Sequence, residues 1–259
     1  PSMTWVEVWQ YTLAIAGSFL AGAINTFAGN GSLITLSILT DMLGLPGNIA
    51  NGTNRVGILL QSAASSTGFA RNKILSLAGS KNVIITTIIG AAAGVYTATV
   101  VSDKQFLFIF KYLMLIMLVI ILVKPERWLH SPAEKTPISL WISIPAFLAL
   151  GFYGGFIQMG MGLFFLAVLV LVGKYDILQA NVLKTFVIMI YTVVVLAIFT
   201  FKGLVDWKTG LIMAAGQALG GYLTALYGPR WPDINVWAYR LLVILVIFAV
   251  LHAFDVINF

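Results

Sequence analysis

The 259-residue chain contains no cysteine, which excludes disulfides, thiolate nucleophiles and cysteine-ligated metals. It has two histidines, His130 in a connecting loop and His252 near the C-terminus, and their separation gives no reason to read a metal pair. HExxH and GxSxG are both absent, so no intramembrane enzyme is expected, and no cofactor. Charge is scarce as well: 9% of residues are charged, against about 25% in a soluble domain. With 60% hydrophobic residues and a mean hydropathy of +0.98, the chain cannot cover a water-facing surface. No basic n-region precedes the first apolar stretch, which is far longer than that of a signal peptide.

What is present is helix-bundle material. Apolar stretches of helix length carry scattered Gly, Ala, Ser and Thr, unlike the strict alternation of a lipid-facing barrel. The expected class is therefore an all-α, multi-pass integral membrane protein of the inner cell membrane. Its formal net charge of +6 fits Lys and Arg placed in cytoplasmic loops. No basic run with interleaved aromatics points to nucleic acid. Trp5, Trp9, Trp128, Trp141, Trp207, Trp231 and Trp237 all fall near segment ends, where indole favours the headgroup layer.

The organisation is duplicated. One long apolar region, about 8–45, is interrupted at AGNGS (28–32). A second, about 138–172, is interrupted within YGGFIQMGMG (153–162). Between the halves lies KPERWLHSPAEKTP, so residues 1–123 read as a first membrane repeat, 124–137 as a cytoplasmic linker and 138–259 as a second repeat. Shifting by 129 lays Gly22 on Gly151, Gly31 on Gly160 and Arg55 on Lys184, and a shift of 127 lays GVYTA on GYLTA. Each half is expected to hold a broken or re-entrant helix pair plus three transmembrane helices, including one over 106–123. Folding each broken pair back as a hairpin gathers most Lys and Arg on the linker's side, which favours inverted over parallel repeats.

Inverted repeats with broken helices place a substrate near the midplane, where the breaks meet. Unwound backbone frees N–H groups, and a half-helix start adds partial positive charge. The expected cradle is therefore Gly29, Asn30 and Gly31 in the first break and Gln158, Gly160 and Gly162 in the second, with Asn25 nearby. The stretch ANGTNRVGILLQ adds Asn51, Thr53, Asn54, Arg55 and Gln61, and LQANVLKT adds Asn181, Lys184 and Thr185. Donors and basic groups dominate this set, so the expected partners are a small inorganic or organic anion and the lipid bilayer. Whether copies of the chain associate is left open. Acidic residues all lie outside the apparent helix centres, Asp41 coming nearest, which argues against a carboxylate proton relay. A passive anion channel would share this pattern. A purely structural membrane protein would have no need of duplicated breaks lined with donors.

At AGAINTFAGNGSLITLSIL with IANGTNRVGILLQ, and at their echoes GFYGGFIQMGMGLFFLAVL and LQANVLKTF, the sequence resembles the sulfite exporter TauE/SafE family over nearly the whole chain. The resemblance implies a carrier or exporter for sulfite, an organosulfonate or a similar small oxyanion. The sequence departs from the family's glycine-run-then-proline pattern at GNGS, at QMGMG and at Ser37.

Overall fold

The computed structural model describes residues 5–77, 79–100, 112, 115, 116, 118, 119, 122 and 139–254. The linker 124–137 and most of the helix expected over 106–123 lie outside the described residues, as do Trp128, His130, Asp103, Glu126, Glu134 and Asp255. The described elements are all helical: α1 Trp5–Phe27, α2 Ser32–Met42, α3 Gly47–Arg71, α4 Lys81–Ala98, α5 Leu140–Phe156, α6 Met161–Val172, α7 Ile177–Phe201, α8 Trp207–Tyr227 and α9 Ile234–Ala253. Both α2 and α6 finish in a widened π-helical turn, at Ile38–Met42 and Val168–Val172.

Both interruptions expected from the glycines are present, and each turns the chain back. Gly31 abuts Ala21 and Asn25, while Ile34 and Ile38 face Gly17, so α2 runs antiparallel to α1. In the second half Met161 lies against Gly154 and the Phe165 ring lies 5.4 Å from that of Phe147, which sets α6 antiparallel to α5. The tips of the two helical hairpins meet at Gly29 and Gly162, whose backbones touch. Gly29 has φ 76° and Gly160 has φ 79°, a region open to glycine at little cost.

Between the hairpins α3 and α7 cross. Gly52 lies beside Phe199 and Leu204, whereas Ile58, Gln61 and Ser62 lie beside Lys184, Thr185 and Ile188, so the two helices run antiparallel. The stretch GNIANGTNR, polar and rich in Gly and Asn, forms the first turns of α3 after an N-cap at Pro46. Helix α3 is continuous for 25 residues because burial against α7 and α8 overrides the poor propensity of its Gly and Asn residues. Helix α7 has the same length, and the two begin at 47 and 177, 130 positions apart.

Glycines set the remaining contacts. Gly22 packs on the backbone of Gln217 and Gly220 on that of Phe19 and Ala23, bringing α1 against α8. The contacts of Gly151 with Thr87 and of Gly90 with Leu148 and Phe152 do the same for α5 and α4. These pairs correspond to one another by a shift of 129 on α1/α5 and 130 on α4/α8. The 127 shift that aligned GVYTA with GYLTA is therefore not the packing register. Each half's first helix packs against the other half's fourth.

Polarity is arranged inside out. Arg55, Lys184, Asn30, Asn54, Gln61, Gln158, Asn181 and Gln217 are buried, while Leu, Ile, Val and Phe side chains point outward on α1, α4, α5, α8 and α9. Trp5 and Trp141, each 90% exposed, stand at the starts of α1 and α5. Among the described residues two helices, Lys81–Ala98 and Ile177–Phe201, are long and apolar enough by themselves to cross a membrane. Helix α3 has the length, but its buried polar stripe lowers its apolarity.

Gly151→Val would drive a side chain into the Thr87 carbonyl. Separation of α4 from α5 is expected to lower stability by about 1–3 kcal/mol, read as an earlier thermal unfolding midpoint in detergent. The same change at exposed Phe152 on this helix is expected to have a much smaller effect.

Candidate functional site

The site is built around a problem that breaking a helix in a buried, apolar place creates. The last carbonyls of α1 and α5 have no intrahelical donors, and lipid supplies none. On α5, Ile157 N–H returns to the Tyr153 carbonyl. The other three carbonyls are taken by side chains of α3. Arg55 Nη1 donates to Gly154 O at 2.6 Å and Nη2 to Gly155 O at 3.3 Å, while Asn51 Nδ2 donates to Phe156 O at 3.2 Å. Helix α7 does the same for α1. Lys184 Nζ donates to Asn25 O at 2.7 Å and Asn181 Nδ2 to Phe27 O at 2.9 Å. In both, the asparagine oxygen accepts from the basic group on its own helix, at 3.3 Å from Arg55 and 2.7 Å from Lys184. A basic group at a helix C-terminus also complements the helix dipole.

The reciprocity is thus real, although the register differs from the one the 129 shift implied. With α3 and α7 starting 130 apart, Asn51 matches Asn181, Asn54 matches Lys184 and Arg55 matches Thr185. The longer arginine, four residues beyond its asparagine, does the work that the lysine does from three residues beyond.

A cavity of about 10 Å3, room for about one water molecule, lies between the hairpin tips. Asn25 and Gly29 line it from the first hairpin, Gln158 from the second, Ile58, Gln61 and Ser62 from α3, and Lys184, Thr185 and Ile188 from α7. Around it, buried polar atoms lack protein partners: both amide atoms of Asn30, Ser32 Oγ, Asn54 Nδ2, Arg55 Nε and Thr185 Oγ1. Native interiors rarely tolerate this many unpaired groups so close together without water or a ligand. Neither Arg55, 0% exposed, nor Lys184, 1% exposed, has a carboxylate partner among the described residues.

The structure brings most of the expected residues together and gives them distinct tasks. Asn25 Oδ1 accepts from Gly31 N–H at 2.7 Å, so this amide of the expected anion cradle is spent on closing its own hairpin. Gly160 forms the second turn and Gly162 the tip contact. Asn54 Oδ1 accepts from Thr35 on α2 at 2.7 Å, and Gln61 Nε2 donates to Ser65 at 2.9 Å. Thr53 does not join them. Its hydroxyl accepts from Asp206 N–H at 2.9 Å, tying α3 to the start of α8, where the Asp206 carboxylate caps the helix through Thr209. Asp41 is exposed at the end of α2 and does not line the cavity.

Two participants went unnoticed in the sequence. Tyr191 is fully buried and donates at 2.8 Å to Gln158 Oε1, the atom that also receives Arg55 Nη1 at 2.8 Å. Phe199 places its ring centroid 5.7 Å from the Arg55 guanidinium. Helical spacing could have disclosed the tyrosine: Asn181, Lys184, Ile188 and Tyr191 recur at the three- and four-residue steps of one helix face.

The profile of the sulfite exporter TauE/SafE family matches residues 14–253. The chain is 28% identical to a probable membrane transporter protein, ORF9, of Sinorhizobium over 211 residues, 81% of this chain and 80% of the relative. It is 29% identical to a probable membrane transporter protein of Haemophilus influenzae over 209 residues, 80% of each chain. The identity to the probable membrane transporter protein YfcA of Escherichia coli K12 is 27% over 203 residues, 78% of this chain and 75% of the relative. No solved structure matches. The chain belongs to the sulfite exporter TauE/SafE family and is a membrane transport protein, not an enzyme.

Asn51→Ala and Asn181→Ala each strip the last carbonyl of one hairpin, and each is expected to cost about 1–3 kcal/mol. Because they serve different hairpins, their effects in the double variant should add to within about 0.5 kcal/mol. Denaturant unfolding of the four proteins in one detergent tests this, and strong non-additivity would mean that the two caps are energetically coupled through the tips.

Proposed function

We propose that this protein is an inner-membrane, multi-pass carrier that exports a small sulfur-containing oxyanion, sulfite or an organosulfonate, through the region between its two hairpin tips. The observation that carries the reading is the pairing of two buried basic groups, Arg55 and Lys184, with unpartnered donors and, among the described residues, no carboxylate partner. A desolvated anion meets there the positive charge and hydrogen bonds that replace its water shell. The family's description supports sulfite as the substrate class.

The two halves act as inverted repeats about an axis in the membrane plane. The antiparallel crossing of α3 and α7, together with hairpins that enter and return, supports this arrangement. A cavity of about 10 Å3 is too small for sulfite, so transport requires rearrangement at the tips, as in a carrier with alternating access. The site is lined by Asn25, Gly29, Gln61, Gln158, Lys184 and Thr185, with Asn30, Asn54 and Arg55 immediately behind.

Reconstituted in liposomes, the protein is expected to move sulfite down its gradient, and Arg55→Ala, which releases two carbonyls and Gln158 of the second hairpin, is expected to abolish most of that flux. Flux is expected to persist without a pH gradient, since the described residues that line the cavity include no carboxylate. Normal sulfite flux in Arg55→Ala would mean that transport needs neither the charge of the guanidinium nor its hold on the second hairpin. Absence of flux for every sulfur anion tried would remove the substrate class.

A further inference from the structure

The two hairpins are built alike but held very differently. The second is pinned throughout. Arg55 holds Gly154, Gly155 and the Gln158 side chain, Tyr191 also holds Gln158, and Tyr153 closes the turn by donating to Met159 O at 2.8 Å. Its returning helix is sunk in the core, with Met161, Leu163, Phe165, Leu166 and Leu169 all at 0% exposure. The first hairpin has Lys184 and Asn181 on its carbonyls and Asn25 closing its turn, but its returning helix is tied across to α3 by one side-chain bond, Thr35 to Asn54 at 2.7 Å, and the Asn30 amide at its tip is buried with no partner at either atom. Beside its returning helix lies an open groove of about 560 Å3, bounded by Leu33, Ile34, Ser37, Ile38, Asp41 and Phe248. Motion of α2 has somewhere to go, whereas α6 is enclosed along most of its length.

The two basic groups differ in the same sense. Lys184 lines the cavity beside the unpartnered Thr185 hydroxyl, whereas Arg55 does not line it and spends both terminal nitrogens on protein acceptors. A lysine offers a compact, rotatable donor that can exchange one oxygen for another; a guanidinium held by several acceptors in a fixed fork cannot do so without breaking them together.

We infer that labour is divided between the two. Lys184 is the anion's ligand, and in turning to the anion it releases the Asn25 carbonyl and frees the first hairpin to swing into the groove. Arg55 is the permanent clamp of the second hairpin and a positioning residue. The inference rests on the anion-carrier reading for the identity of the ligand, but the choice of moving hairpin does not depend on it. An anion between the tips would draw Lys184 and Thr185 toward it, and the first hairpin would lose one of its two carbonyl contacts to α7 at that moment. Substrate binding and gate release would then be one event.

Hydrogen exchange on the wild-type protein in liposomes reads the motion without any flux measurement. Amides of 30–42 are expected to exchange about tenfold faster than those of 159–172, and sulfite should accelerate the first set only. Kinetics read the ligand. Lys184→Gln is expected to raise the KM for sulfite about tenfold, while Arg55→Lys lowers thermal stability and leaves KM within about threefold. Equal exchange in the two hairpins, or a larger KM change in Arg55→Lys than in Lys184→Gln, overturns the division. Faster exchange in the first hairpin with no sulfite flux retires the sulfite reading and leaves the gate in place.

Discussion

Everything in the centre of this protein depends on side chains from one half satisfying the broken-helix carbonyls of the other. A helix that ends inside a bilayer leaves several strong acceptors with no solvent to serve them. Asn51 with Arg55, and Asn181 with Lys184, serve those acceptors from across the molecule at hydrogen-bonding distance. Neither hairpin could stand without the long helix contributed by the other half. The arrangement therefore ties the halves into one folding unit and, in the same stroke, places positive groups at the one spot where the backbone opens.

Close packing makes that exchange geometrically possible. Gly22, Gly90, Gly151 and Gly220 let α1 lie on α8 and α4 on α5 with backbones in contact, and Gly29 with Gly162 lets the tips touch. In lipid there is little hydrophobic drive between helices, so dispersion over such close surfaces and buried hydrogen bonds carry the assembly. The apolar exterior and polar interior are the expected inversion of a soluble fold.

The proposed transport role falls on groups that also hold the structure together. A basic group that caps a helix is stabilised by carbonyl dipoles rather than by a carboxylate, so its charge remains available to an anion. Where the cap is many-handed, as at Arg55, it is rigid; where a single amine bridges one carbonyl and one amide, as at Lys184, it is exchangeable.

Much of this was legible in the residues themselves. Composition alone dictated a membrane-embedded helical protein, because so few charges cannot solvate a surface. The glycine-rich interruptions located both breaks, since only glycine takes φ near +76° and +79° at little cost, and isolated basic groups amid apolar sequence marked α3 and α7 as the helices that reach the breaks. Spacing also hinted at a duplication. The tertiary structure alone decided what the basic groups touch, since their acceptors lie about a hundred or more residues away along the chain. It diverted Thr53 to Asp206 and drew in Tyr191 and Phe199. It also set the packing register one residue away from the aligned one, because α6 takes an extra residue before its π-helical turn. Local sequence determines where a helix can break. Which distant side chain then fills the opened hydrogen bonds is determined only when the two halves pack.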